Sequence, residues 1–358
     1  MNRQHPIVLG IETSCDDTAC ALLDGNGTVL SSVVSSQLEA HRPYGGVVPE
    51  IASREHLKNW PAVSRQALEQ ASLRLPDVDL VAATKGPGLI GALLVGLSLG
   101  KGLAYGLERP FHAVHHLEGH LYSPFMRPLG ESSASIPESF IGLVVSGGHT
   151  SLYRVRSGRI NVIAETRDDA MGEVFDKVGK YLGLAYPQGP QVDALAEKGD
   201  PRETPMSIAR CSDQSLDFSF SGLKSQALLE IQKLRSSGVV TNLEGTSEDR
   251  IAVAVLDLLA GFRAAAVAQI LERLRRFHRQ EKFGALGVSG GAAANLLLRR
   301  SLAEWTAAEG IQLHLVGLEY SSDNAAMIAH AALLRHRLGL SDDPLEVDAS
   351  SRIPLATQ

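Results

Sequence analysis

Cysteine is scarce in this chain: Cys15, Cys20 and Cys211 are its three thiols in 358 residues. None has the spacing of a zinc knuckle or a CxxC pair. That excludes a disulfide framework and points to a reducing compartment. Aromatic residues make up 5%, so few rings are present on which bases could stack. Basic charge is not in excess, since 34 Lys and Arg stand against 40 Asp and Glu for a net −6. A strongly basic nucleic-acid binder is excluded, and contact with RNA or DNA must use a local patch. The clearest basic cluster, "ERLRRFHRQEK" (272–282), reads either as such a patch or as a solvated helix face. No apolar run approaches the roughly 20 residues that span a bilayer. No signal-peptide core stands in "MNRQHPIVLGIETS". The expectation is a cytoplasmic protein without a membrane segment.

What is present is 44% apolar residue and 34 glycines, a composition of filled cores and many tight loops. "PIVLGIETSCDDTACALLDGNGTVLSSVV" (6–34) reads strand, loop, strand, turn, strand, with "DGNG" as a hairpin signal. "SFIGLVVSGGHTSLYRVRSGRINVIAE" (139–165) runs through the same sequence of elements. The two segments read as one supersecondary unit used twice. Between them "MRPLGESSASIPES" (126–139) is rich in Pro, Ser and Gly and is the candidate connection between domains. The expected division is 1–125, the connection 126–139, and 140–324, with 325–358 a candidate to pack back on the first domain.

Helical spacing is expected over 55–72 and 250–277, the second with a candidate interruption at Gly261. Residues 80–104 read as a strand, a glycine-proline turn and a helix of small residues. Residues 284–310 repeat that logic through a Ser-Gly-Gly loop. Such loops present backbone N–H groups and a positive helix end to an anion. Several in one chain suggest a phosphate-bearing ligand, although each alone is also an ordinary packing turn.

"HHLEGH" (115–120) places His116 and His120 four apart, on one face of a helix. With 12 histidines in 358 residues, about 0.4 such pairs arise by chance. His112 and His116 share the spacing, but "RPFHAVHH" reads as a short strand after Pro110. A zinc-protease helix needs its glutamate directly after the first histidine, where this chain has Leu117. Glu118, two residues along, turns roughly 200° from His116. A metalloprotease is disfavoured. A third ligand is available in Asp323 of "EYSSDNAAMIAHAALL" (319–334), with Ser321 and Ser322 as possible caps and a helix N-cap as the alternative role for Asp323.

Several ordered strings together resemble one family. They are "LGIETSCDDT" (9–18), "VPEIASREH" (48–56), "KGPGLIGALLVG" (85–96), "HHLEGH" (115–120) and "LVVSGGHTSL" (143–152). They continue with "GEVFDKVGKYLGLAYPQGPQVDALA" (172–196), "DFSFSGLKS" (217–225), "GVSGGAAANLLLR" (287–299) and "SSDNAAMIA" (321–329). The chain resembles the bacterial TsaD family, formerly Gcp and long labelled an O-sialoglycoprotein endopeptidase, nearly end to end. The resemblance implies the actin, Hsp70 and sugar-kinase (ASKHA) fold, two related α/β domains around a nucleotide cleft. It implies a transferase that moves a threonylcarbamoyl group from threonylcarbamoyl-AMP to the exocyclic amine of the adenosine 3′ of the anticodon, in tRNAs reading codons that begin with A. It also implies one divalent metal, iron with zinc as the alternative, held by His116, His120 and Asp323. The implied partners are tRNA, a TsaB-like scaffold and a TsaE-like ATPase.

Carried over residue by residue, the family's substrate-binding positions fall on Val144, Val145, Ser146, Gly147, Gly148, Asp176, Gly189, Asp193 and Asn295. Glycine loops hold phosphate through backbone donors, and Asp176 and Asp193 can accept from ribose hydroxyls. The alternative for both acids is a place on a helix surface. The adenylate already carries a good leaving group, so no covalent nucleophile is required, and no residue stands out as general base. Two departures from the family pattern are Asp17 in place of a common glutamate and Gln188 in place of the first glycine of "PGGP". A glutamine there is costly if that position needs positive φ. The competing readings are a non-catalytic scaffold paralogue of the same fold and a kinase or ATPase of the superfamily.

Overall fold

The computed structural model describes residues 6–128, 131, 135–208 and 215–355. Cys211 and part of the 126–139 connection lie outside them. The chain forms two compact units, Met1–Ile136 with Val316–Ala356, and Pro137–Leu315.

The first unit opens with β1 (Val8–Glu12), β2 (Asp17–Leu23) and β3 (Val29–Ser36), paired antiparallel in succession. The "DGNG" turn forms where expected, with Asp24 Oδ1 accepting from the amides of Asn26 and Thr28 at 2.8 and 2.9 Å. This is the local bond that makes Asp a turn residue. There follow α1 (Leu38–His41), α2 (Pro49–Gln70), β4 (Leu80–Gly86), α3 (Ile90–Leu107), β5 (Phe111–His115) and α4 (His116–Tyr122). The second unit contains β6 (Ser139–Val145), β7 (Thr150–Arg156), β8 (Arg159–Glu165), α5 (Met171–Tyr181) and α6 (Gln188–Ala196). It continues through α7 (Ser221–Ser236), α8 (Val253–Gln280), β9 (Ala285–Ser289), α9 (Leu296–Glu309) and β10 (Gln312–Leu315). The chain then returns to the first unit as α10 (Ala325–Arg337).

The duplication read from the sequence is present in the sheets. Their orders, β3-β2-β1-β4-β5 and β8-β7-β6-β9-β10, are the same arrangement. In each, the first strand pairs antiparallel with the second and parallel with a later strand. Every residue of β1 is buried because both faces of its sheet are covered. Val8, Ala21, Leu80 and Val114 pack with Ala325–Leu333 on one face. Leu9, Ile11, Leu22 and Val81 pack with Val63, Ala67, Leu97 and Ala104 on the other. Gly10 sets how near α10 can come, since a Cβ there would lie 2.3 Å from the Ala325 carbonyl oxygen.

Two expectations are corrected here. Helix α8 is not interrupted at Gly261; it runs 28 residues through the core of the second unit. The glycine is needed for close approach, because a Cβ would lie 1.9 Å from the Thr204 carbonyl oxygen. Long apolar segments are also not lacking: α3 with 18 residues and α8 with 28 are long and apolar enough to cross a membrane. Ala, Gly and Leu between sparse charges raise their apolar character, and 72% of the apolar window of α8 is buried within the protein. The basic cluster at the end of α8 divides between two environments. Arg273 is 2% exposed and donates Nε to the Asp217 carbonyl at 3.1 Å, while Arg275 and Arg279 are exposed.

Candidate functional site

In the first unit, β5 ends at His115, whose Nδ1 accepts from the Leu117 amide at 3.1 Å and caps α4. One helical turn then sets His116 and His120 side by side, their rings 4.7 Å apart and perpendicular. Asp323 arrives from the loop before α10. It is not the cap of that helix: Asn324 is, accepting from the Met327 amide at 2.9 Å. The Asn324 amide group also donates to the carbonyls of Tyr320 and Ser322, which fastens the backbone on which Asp323 stands. Asp323 Oδ1 lies 3.1 Å from His120 Nε2 and 3.5 Å from His116 Nε2. One ligand atom from each of the three residues lies within 4.8 Å of the others. The two imidazoles are almost fully buried, whereas the Asp323 side chain is 28% exposed. Three protein ligands with access from one side is the arrangement of a catalytic metal site.

The outer nitrogen of His116 is held by a residue that the sequence reading did not single out. Glu12, at the end of β1, is fully buried, and its Oε2 lies 3.1 Å from His116 Nδ1. Thr84 Oγ1 donates to the same oxygen at 2.6 Å, and the Ser14 amide donates to Oε1. A carboxylate on the second nitrogen of a ligating histidine fixes the tautomer and raises basicity. The signal was an acid ending the apolar run "VLGIE", at the carboxyl end of a strand where α/β sheets place their sites.

Burial alone would discharge His116, yet the carboxylates of Asp323 and Glu12 outweigh it and raise its pKa to about 9. Burial likewise raises Asp17, and the neighbouring Asp16 and Asp323 push it further, to about 7. The cluster thus attracts positive charge. Two imidazole nitrogens and one carboxylate oxygen in such a field fit a divalent ion of the iron or zinc type. The buried Nδ1 of His120 has no partner among the described residues. Glu118 turns to the other side of α4, 3.5 Å from Arg335, as the helical rotation requires.

In the second unit, the nine carried-over positions fall in three groups. Val144 and Val145 are fully buried β6 residues whose backbones pair with Ser151 and Thr150, so their side chains serve the core. The strand leads into a turn closed from both ends: the Ser146 amide donates to the His149 carbonyl at 2.8 Å, and the His149 amide to Ser146 Oγ at 3.1 Å. Gly147 and Gly148 at its tip are exposed.

Asp176 and Gly189 meet directly, as Asp176 Oδ1 accepts from the amides of Gln188 and Gly189 at 3.1 and 2.7 Å. Asp176 therefore fastens the start of α6 to α5. Burial raises its pKa, and the two amides counter that. Asp193 and Asn295 also meet. Asp193 Oδ1 accepts from Asn295 Nδ2 at 2.6 Å and from buried Arg263 at 3.1 Å, and Oδ2 accepts from the Leu296 amide at 3.2 Å. Asn295 itself caps α9 through the Leu298 amide. Neither acid is a free helix-surface group. Gln188 is the first residue of α6 and does not have positive φ; its stem packs where Gly179 leaves room.

The chain matches the family model of TsaD, tRNA N6-adenosine threonylcarbamoyltransferase, over residues 28–330. It is 44% identical over 349 residues to a tRNA N6-adenosine threonylcarbamoyltransferase of Thermus thermophilus, covering 97% of this chain and 98% of that one. To the protein of that name from Syntrophobacter fumaroxidans it is 45% identical over 348 residues, covering 97% and 99%. Among solved structures, full-length HypF in its phosphate- and nucleotide-bound form aligns with a TM-score of 0.58 at 12% identity, over 93% of this chain and 55% of that one. Component A of the (R)-2-hydroxyglutaryl-CoA dehydratase of Acidaminococcus fermentans aligns at 0.52 and 15% identity, over 93% and 98%. These structural likenesses show the expected ASKHA fold alone.

Proposed function

Because the chain belongs to the TsaD family of tRNA N6-adenosine threonylcarbamoyltransferases, we infer that it modifies the adenosine 3′ of the anticodon in tRNAs reading codons that begin with A. The donor is threonylcarbamoyl-AMP. The adenosine N6 bonds to the carbamoyl carbon and gives up one proton. The bond from that carbon to the phosphate oxygen breaks, and AMP leaves with the electron pair.

The observation that carries the catalytic reading is the convergence of His116, His120 and Asp323 to within 4.8 Å. A non-catalytic scaffold of the same fold has no need to assemble three ligands. These residues would hold the divalent ion, for which we favour iron(II) over zinc. When bound, the ion supplies Lewis acidity and a template for the activated carbonyl. The protein's own work is positional. Glu12 holds the His116 ring, and Asn324 holds the loop carrying Asp323.

In the second unit, the backbone N–H groups of the loop at 146–148 suit phosphate oxygens. Asp176 and Asp193 keep acceptor capacity beyond the internal bonds they make, since a carboxylate offers about four lone-pair sites; ribose hydroxyls are the proposed donors. We assign a TsaB-like scaffold and a TsaE-like ATPase as partners from the family, and the cytoplasm as the setting in which tRNA is met.

Reconstitution tests the reading. Protein, partners, threonylcarbamoyl-AMP and tRNA are combined, and the modified nucleoside is measured by mass spectrometry. Product is expected with the native chain and not with His116→Ala or Asp323→Ala. Native rates in both variants would overturn the metal assignment. Absence of product from the native chain would overturn the transfer itself.

A further inference from the structure

A cavity of about 330 Å³ in the first unit lies between the β2–β3 turn, the segment after α4 and the last turns of α10. Its polar wall is Asn26, Arg127, Ser135, His330 and Arg337, and its apolar wall includes Phe125, Ile136 and Leu334. The volume falls in the range of small-ligand sites.

Three observations point to what it would hold. His330 is 6% exposed, and neither ring nitrogen has a hydrogen-bond partner among the described residues. A buried polar group without a partner is costly, and both nitrogens of a fully apolar-packed ring would be a double cost. The ring also faces the cavity rather than a carboxylate. Second, Arg127 and Arg337 flank it, and no carboxylate pairs with either among the described residues. Arg127 donates to the Met126 carbonyl at 3.2 Å and Arg337 to the Gly25 carbonyl at 2.6 Å. Each guanidinium has five N–H donors, so both keep donors to spare. Third, no carboxylate is among the described residues that line the cavity. Burial first, then the charges of Arg337 and Arg127, lower the pKa of His330 to about 4.

We propose that this cavity is a second anion site, which binds a phosphate group between Arg127, Arg337 and His330. Two guanidiniums match phosphate oxygens geometrically, and Asn26 adds an amide donor. The source is either free inorganic phosphate or the monophosphate of a small nucleotide, whose base would rest on the Phe125 and Leu334 wall. The site belongs to neither the metal cluster nor the glycine loops, so it stands or falls independently of the transfer reaction.

The test uses the full chain with ¹³C-labelled histidine, titrated separately with inorganic phosphate and with AMP. The His330 ring signals are expected to move saturably, and its pKa to rise on binding. In Arg127→Gln combined with Arg337→Gln, the apparent Kd should weaken about tenfold or more, with transfer activity unchanged. If the double variant does not fold, Arg127→Gln alone carries the comparison, because its bond is to a neighbouring carbonyl. Equal affinity for phosphate and AMP identifies the phosphoryl group as the whole determinant. Tighter AMP binding assigns the apolar wall to the nucleoside. His330 signals unmoved by both ligands, or moved with the same midpoint in the variants, would overturn the proposal.

Discussion

The Glu12 carboxylate lies 3.1 Å from Nδ1 of His116, with both groups out of solvent. This contact joins the end of the central strand β1 to the first turn of α4. Replacing Glu12 by glutamine keeps the size and removes the charge that orients the ring. Metal affinity should fall about 10- to 100-fold, read by competition with a metal-chelating dye. Unchanged affinity in a folded Glu12→Gln protein would remove Glu12 from this role.

The two faces of α4 should respond differently. His120→Ala should lose bound metal and transfer activity together. Glu118→Gln should retain metal, because that side chain faces Arg335 at 3.5 Å. Its effect on stability, seen in denaturant unfolding, is expected to be small, because burial disfavours the Glu118 charge more than Arg335 favours it. Metal loss in Glu118→Gln with native-like stability would contradict the assigned geometry.

Asp168 gives a pH signature. Its Oδ1 accepts from the amides of Phe220 and Ser221, and its Oδ2 from the hydroxyls of Ser219 and Ser221. Partial burial disfavours the charge, but these bonds outweigh it and hold the carboxyl below its usual range. A depressed folded-state pKa contributes stability above the unfolded value of about 3.9 and loses it as pH falls through the folded one. The stability difference between the native chain and Asp168→Asn should therefore be constant near neutrality, begin to shrink as pH falls to about 4, and be lost only below the depressed folded-state pKa. A difference that persists there would assign the effect to something other than the charge.

Gln188→Gly restores the family's usual residue and should not help. Gln188 stands in the first turn of α6 without positive φ, its side chain almost fully buried. Glycine relieves no strain there and adds backbone entropy to the unfolded chain. Stability should drop by about 0.5–1 kcal/mol, measured by thermal unfolding. A stabilised variant would show that the loop is strained after all.

Much of this was legible in order along the chain. Strand–loop–strand patterns repeated at 6–34 and 139–165 because two sheets of the same strand order need the same succession of buried strands and turns. Helical spacing put His116 and His120 together and turned Glu118 away, since both follow from residues per turn. Gly261 misled because a glycine in a helix can mark a kink or a close contact, and local sequence does not say which. Thr204, which decides it, is far away in the chain.

The sequence by itself determined the element types, the spacing that lets two histidines share a face, and the family. Spacing left Asp323 a candidate third ligand that the family resemblance supported, and Glu12, which braces His116, was not singled out. His120 and Asp323 are 203 residues apart, and Glu12 and His116 are 104 apart. Such pairs meet only when β1 lies in its sheet with α10 packed across Gly10. Asp176 and Asp193 likewise read as surface acids until folding brings them the amides of Gly189 and Leu296. Local rules act over one or two helical turns; hydrogen bonds between distant segments exist only after the core has placed them.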